Sequence, residues 1–379
     1  MAGLYVHIPF CRSRCLYCGF YSTVLPSGRS CGDMPARYAA ALVEELKSRK
    51  EEFTEPVRTI YFGGGTPSLL PATVFESLVA QIRAVLSDIW QVGEFTIEVN
   101  PDDYTPERGQ AWTRAGVNRF SVGVQSFVDE ELRRIGRRHS AECAAEVVRS
   151  LGETGNVSVD LICGLPSQTL DSWNQSLSRA LELRPRHLSL YTLSFDKGSA
   201  FSRMLEKGTL PPLPSSDTVA DMYLGMCRRL AAAGYGQYEV SNFALPGFRS
   251  RHNSSYWRQT PYIGIGAAAA SYDGNDRRRL NVESLAGYLA DPVHGYAEEI
   301  LDKEDLRTEY LLTRLRQTGE GIDMDDFRRR FGNIGTERLL GAVRPFIADG
   351  LLETIPGGYL RFTGPKAMLL QDLVLREII

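Results

Sequence analysis

Cys11, Cys15 and Cys18 stand in the string CRSRCLYC, directly after the apolar run LYVHIPF. Three thiolates at this spacing can each hold one iron of a cubane iron–sulfur cluster while the fourth iron stays open to an exogenous ligand. A structural zinc site is the plainer alternative, but it is closed by four ligands, and the nearest further donors are His7 and the distant Cys31. The chain has 7 cysteines, an odd number spread singly through apolar segments, which argues against a disulfide framework. Cys143, Cys163 and Cys227 lie in apolar periodic segments and read as buried small hydrophobes.

Other residues invite a ligand. The glycines of GGGTPS, residues 63–68, allow backbone to approach a bound molecule where a side chain would collide. Glu98 in IEVNP, Gln125 in GVQSF and Asp160 in VSVDLICGLP are polar groups in apolar runs, and such groups need partners when buried. A cofactor carrying ribose hydroxyls, an amine and a carboxylate would satisfy them; an internal hydrogen-bond network would do so equally. Further on, His252, Asn253, Tyr256 and Trp257 form an HNxxYW string. Imidazole is a common axial ligand of heme iron, and aromatic rings offer flat apolar surface to a porphyrin. Arg249 and Arg251 are close enough in sequence to meet propionates. The bland reading is that His252 bonds a loop and Trp257 fills the core.

These residues need a scaffold. Runs rich in β-branched and aromatic residues at 4–9, 57–62, 95–100, 118–124, 157–163 and 187–193 predict strands. Helical periodicity fills the gaps, in ARYAAALVEELKSRKEE, FESLVAQIRAVL, ECAAEVVRSLGETG and SWNQSLSRALEL. Such alternation argues for parallel strands joined by right-handed crossovers. The expected fold is therefore α/β, a partial (β/α)6 TIM-like barrel rather than the closed eight. Ligands in such folds gather at the carboxyl ends of strands, where the cysteine string falls.

Residues 1–200 are expected to form this barrel. Residues 201–302 hold a Pro-rich stretch, LPPLPSS, and a helix at DTVADMYLGMCRRLAAAG. The aromatic and polar GYGQYEVSNFALPGFRSRHNSSYW then reads as strand and loop, and the whole segment is expected to cap the barrel. Residues 303–379 read as helices followed by a hairpin turning at Pro356-Gly357-Gly358, a winged-helix-like α+β domain. DNA binding is the obvious guess for such a unit. From Lys303 onward, however, there are 12 Lys+Arg and 12 Asp+Glu, so it has no basic footprint and reads as a packing or interaction module.

The formal net charge of -3 over 379 residues likewise argues against nucleic acid as a partner. No stretch approaches twenty apolar residues, and MAGLYVHIPF lacks a basic region followed by a long apolar one. A soluble, intracellular protein is expected, in a compartment where thiols stay reduced.

The CxxxCxxC string after a short strand resembles the radical S-adenosylmethionine (SAM) superfamily, in which SAM chelates the open iron of a [4Fe-4S] cluster. YVHIPFC, GGGTP, IEVNP, GVQSF, DLICGLPSQT and LSLYTLSF resemble the oxygen-independent coproporphyrinogen III oxidase family through most of residues 3–200. That resemblance implies a SAM site at Tyr5, Gly64, Gly65, Thr66, Glu98, Gln125, Arg137 and Asp160, with Tyr17 as an aromatic neighbour of the cluster. Two departures matter. The oxidase pattern has a further cysteine two residues after the third, where Phe20 stands here, and a long N-terminal extension, whereas Met1 lies ten residues before Cys11. Both departures, and the HNxxYW string, resemble the sister subgroup of heme chaperones, HemW. The segment GIGAAAASYDG, by contrast, lacks a histidine near Ser271 that many relatives carry in GIGAGAHG.

The likeness to the chaperones implies heme held at His252 and no catalytic residue. It also implies a cytoplasmic protein, peripheral at the inner membrane, that passes heme to acceptor hemoproteins such as respiratory enzymes. Cluster loading would favour a transfer-competent homodimer. A different class remains open: a radical SAM enzyme in which a 5'-deoxyadenosyl radical abstracts hydrogen from a porphyrinogen. A third reading, a binding module with a purely structural cluster, implies no affinity for SAM.

Overall fold

The computed structural model describes residues 2–25 and 32–379; Cys31, weighed above as a distant donor, lies outside them. The expected strands form as β1 (Ala2–Ile8), β2 (Val57–Gly64), β3 (Trp90–Val99), β4 (Arg119–Gln125), β5 (Asn156–Cys163) and β6 (His187–Thr192). Each pairs in parallel with the next. Helices α1 (Met34–Ser48), α2 (Ala72–Val85), α3 (Pro106–Ala115), α4 (Ala141–Gly152) and α5 (Leu170–Leu183) make the crossovers. Leu4, Val6, Ile8, Ile60, Phe62, Ile97, Phe120 and Val159 are fully buried between sheet and helices, as strands covered on both faces require. The chain is thus an α/β partial barrel with its strands' carboxyl ends on one rim.

Residues 201–302, expected as a cap, instead widen the sheet at both edges. After helix α6 (Ser216–Ala232), β7 (Gly236–Gln237) and β8 (Asn242–Ala244) extend the sheet, β8 antiparallel to β6 and β7 antiparallel to β8. Strand β9 (Tyr262–Ile265) pairs in parallel with β1 on its free side, and β10 (Ala270–Tyr272), β11 (Arg277–Asn281) and β12 (Tyr296–Ile300) follow antiparallel. Among the described residues the sheet has 12 strands in the order β12-β11-β10-β9-β1-β2-β3-β4-β5-β6-β8-β7.

A second correction concerns the HNxxYW string, read above as strand and loop. It forms a short helix, α7 (Arg251–Trp257), because its first amides find acceptors. Ser250 Oγ accepts from Asn253 N, while both carboxylate oxygens of Glu94 accept from Arg251 N and His252 N, each at 2.9 Å. A carboxylate at a helix N-terminus satisfies orphan amides and meets the positive end of the helix dipole.

The C-terminal residues form α8 (Lys303–Leu315), β13 (Ile322–Asp323), α9 (Met324–Ala348, broken at Gly332), β14 (Leu352–Ile355), β15 (Tyr359–Phe362) and α10 (Gln371–Ile378). β14 and β15 pair antiparallel through the expected Pro356-Gly357-Gly358 turn, whose glycines take φ of 93° and 77°. This is the winged-helix-like arrangement, with β13 as third strand. Among the described residues no helix is long and apolar enough to cross a membrane.

Glu45 of α1 locks β9 into place. It is fully buried and accepts from Gly266 N, Asn281 Nδ2, Tyr288 OH and Arg49 Nη1 at 2.7–3.2 Å. Removing one member of a buried ion pair strands the other in low dielectric. Glu45→Ala is expected to lower unfolding free energy by about 3–5 kcal/mol, measured by urea denaturation; a loss below 1 kcal/mol would show the network to be dispensable.

Candidate functional site

The carboxyl rim of β1–β6 surrounds a cavity of about 380 Å³. Cys11, Cys15 and Cys18 line it, together with Tyr17, Gly64, Gly65, Thr66, Glu98, Gln125, Arg137 and Asp160. Residues up to 149 positions apart therefore share one wall because parallel pairing brings the strand ends level. Two expected members lie elsewhere: Tyr5 lines a second cavity, and His252 lines neither.

Close backbone approach shapes the entrance. A Cβ on Gly65 would fall 2.9 Å from Phe10 O and 3.1 Å from Cys11 Sγ. Gly64 has φ 111°, and a Cβ there would sit 2.6 Å from the His7 ring. Only glycine permits this packing of β2 against the cysteine loop. At the end of β4, Gln125 is held at φ 70° beside a register shift. Such conformations in a non-glycine residue concentrate at functional sites.

The polar groups are pre-arranged. Glu98 accepts from Tyr61 OH at 2.9 Å and from Gly64 N at 3.1 Å. Burial nevertheless pushes its carboxyl up to about 7. Asp160 accepts from Ser121 Oγ at 2.8 Å and Ser158 Oγ at 3.0 Å, and burial raises its pKa as well. Arg119, itself 1 % exposed, lies beneath them and opposes both shifts. Arg137 donates to Gly123 O at 2.5 Å and to Asn100 Oδ1, and its Nη1 lies 3.5 Å from Cys15 Sγ. Tyr61, Ser121 and Asn253 also line the cavity and were not anticipated. Strand periodicity, which sets Tyr61 on the face of Gly63, was the signal available for the first of them.

The donor set suits a cluster bound by three thiolates. All three cysteines are free, Thr66 Oγ1 donates to Cys11 Sγ at 3.4 Å, and burial pushes the Cys18 thiol up to about 11 until a metal claims it. Arg137 Nε and Asp102 Oδ1 are buried at the wall without a hydrogen bond, while Asp102 Oδ2 is ion-paired with Arg138 Nε at 3.4 Å. His7 is engaged elsewhere: Nδ1 meets Tyr5 OH and Nε2 donates to Tyr21 O, both at 3.1 Å.

His252, expected as an iron ligand, is enclosed by protein partners in the structure. Its side chain is fully buried; Nδ1 lies 2.8 Å from Thr59 Oγ1 and Nε2 2.8 Å from Tyr256 OH. The ring stacks on Tyr61 at 5.1 Å, and burial drives its pKa to about 3. Both nitrogens are thus committed, and the neutral imidazole ties α7 to β2. His252→Ala is expected to cost about 2–4 kcal/mol of stability, read by urea denaturation. Full stability combined with selective loss of heme affinity would restore the ligand role.

Comparison with known proteins agrees with this architecture. The Radical SAM superfamily model matches residues 5–180 and the HemN C-terminal domain model residues 301–369. The chain is 38% identical to the heme chaperone HemW of Lactococcus lactis, covering 89% of this chain and 86% of that protein. It is 35% identical to HemW of Bacillus subtilis, covering 93% and 92%. Among solved structures, the coproporphyrinogen III oxidase HemN of Escherichia coli, a radical SAM enzyme, superposes with a TM-score of 0.81 at 24% identity. That superposition covers 100% of this chain and 89% of the oxidase, and it establishes the shared fold. Likeness along nearly the whole length, in both the barrel and the C-terminal unit, shows that this chain belongs to the HemW family within the radical SAM superfamily.

Proposed function

We propose that the protein is a heme chaperone that binds heme and delivers it to acceptor hemoproteins, with a [4Fe-4S] cluster and SAM in the rim cavity. The observation that carries this reading is the near full-length identity to two proteins named heme chaperone HemW. Phe20, in place of a fourth loop cysteine, supports the chaperone over the oxidase pattern.

Cys11, Cys15 and Cys18 would hold the cluster, which when bound would offer an open iron for the amino and carboxylate groups of SAM to chelate. Gly64, Gly65 and Thr66 bring backbone close, Glu98 and Asp160 accept from hydroxyl or ammonium groups, and Gln125 and Arg137 frame the remaining polar parts. The carboxylates need no reorganisation to do so, because Tyr61, Ser121 and Ser158 already orient them. The division at about residues 200 and 303 separates the barrel from the sheet extensions and from a C-terminal unit suited to contacting an acceptor. A cytoplasmic site of action at the inner membrane face, and a homodimer as the transfer-competent state, complete the proposal.

A radical enzyme acting on a porphyrinogen is the second reading, favoured by the intact set of polar groups around the cysteines. The two separate cleanly. Anaerobically reconstituted protein is expected to bind heme stoichiometrically, followed at the Soret band, and to form no 5'-deoxyadenosine with coproporphyrinogen III. 5'-Deoxyadenosine produced in step with a modified porphyrinogen would overturn the chaperone assignment.

A further inference from the structure

A second cavity of about 390 Å³ opens beside the first, and no group named so far occupies it. Five tyrosines, Tyr5, Tyr21, Tyr256, Tyr262 and Tyr272, contribute to its lining. The small side chains of Ala268 and Ala270 leave space in its lining, to which Arg278 and Glu309 also contribute. Its size lies within the range of small-molecule clefts, ~300–1,000 Å³.

The rings form a continuous partition between the cavities. Tyr61 faces the first cavity, stacks on His252 at 5.1 Å, and His252 meets Tyr256 edge-on at 5.0 Å. Tyr256 in turn meets Tyr262 at 4.5 Å within the second cavity. Phe20 lines both cavities and is 69 % exposed. The HNxxYW string therefore serves two spaces: Asn253 faces the first, Tyr256 faces the second, and His252 fixes the wall between them.

We infer that this second cavity is the porphyrin site, taking heme with its macrocycle against the tyrosine faces and a propionate toward Arg278. The inference rests on the chaperone reading given above. Flat aromatic walls over small residues suit a planar apolar ring, for which offset stacking adds to area burial. A guanidinium is the side chain best matched to a carboxylate, which it can hold through two parallel N–H donors. Arg278 pairs with Glu309, which also lines the cavity, and with Glu299, so a propionate would take the place of one of these carboxylates on the guanidinium. The place near Ser271 where relatives are expected to carry a histidine also lies here: Ala270 lines the cavity, and Ser271 Oγ turns away to Gly264 and Arg49. The site in this chain is accordingly roomier and lacks that imidazole.

Filling the space beside Ala270 tests the assignment. Heme b is titrated into reconstituted wild type, Ala270→Leu and Ala270→Trp, with cluster iron content and SAM affinity measured on the same samples. Graded weakening of heme binding, at least tenfold for A270W, with iron content and SAM affinity unchanged, is the expected result. Equal heme affinity in wild type and in either folded variant would overturn the site while leaving the chaperone reading intact. Absence of heme binding by cluster-loaded wild type would overturn that reading and the site with it. If A270W fails to retain its cluster, the milder A270L decides by the same criterion.

Discussion

The in-register parallel pairing of β1 with β2 is the constraint on which the site depends. It sets His7 opposite Gly63 and Ile8 opposite Gly64, so the chain leaves β1 directly into the cysteine loop while bare backbone leaves β2 beside it. Any side chain at Gly64 or Gly65 would collide with the His7 ring or with the backbone just before Cys11. The same pairing aligns Tyr5 with Tyr61, and so builds the aromatic partition from the strand that also launches the cysteines. Cluster loop, partition and second cavity therefore share a single geometric origin.

Beneath the rim the barrel buries charge as well as apolar surface. Glu98 and Asp160 are oriented by hydroxyl donors, and Arg119 is enclosed below with Nε and Nη1 lacking hydrogen bonds. Desolvation this deep disfavours the ionised carboxylates, while the nearby arginine opposes it. A ligand entering the rim with hydroxyl or ammonium donors would add hydrogen bonds to the Glu98 and Asp160 carboxylates that line it. The cavity therefore presents polar, hydrogen-bonding groups to its interior and not a merely apolar wall.

The barrel was legible because its strands are dense in β-branched and aromatic residues and its helices show clear periodicity. The C-terminal hairpin was legible because Pro356-Gly357-Gly358 announces a turn. Strand β9 was not: YIGI is short and interrupted by Gly264, and its partner lies about 260 residues away in β1. Helix α7 was missed because the carboxylate that caps it, Glu94, comes from β3, a contact no local window contains. For the site, residue type and position at strand ends located the cysteines and Glu98, Gln125 and Asp160. For His252 the ligand chemistry is visible in sequence, whereas its burial between Thr59, Tyr61 and Tyr256 is set by tertiary packing.

The central claim is that three cysteines and the polar strand ends form one cavity holding a cluster with an iron open to SAM. Electron paramagnetic resonance of the reconstituted, reduced protein, recorded with and without SAM, addresses it directly. A reduced [4Fe-4S] signal whose g-values change when SAM is added is the predicted outcome, with the change lost in Cys15→Ser. A cluster signal indifferent to saturating SAM, or no cluster bound by the intact cysteine set, would contradict the account.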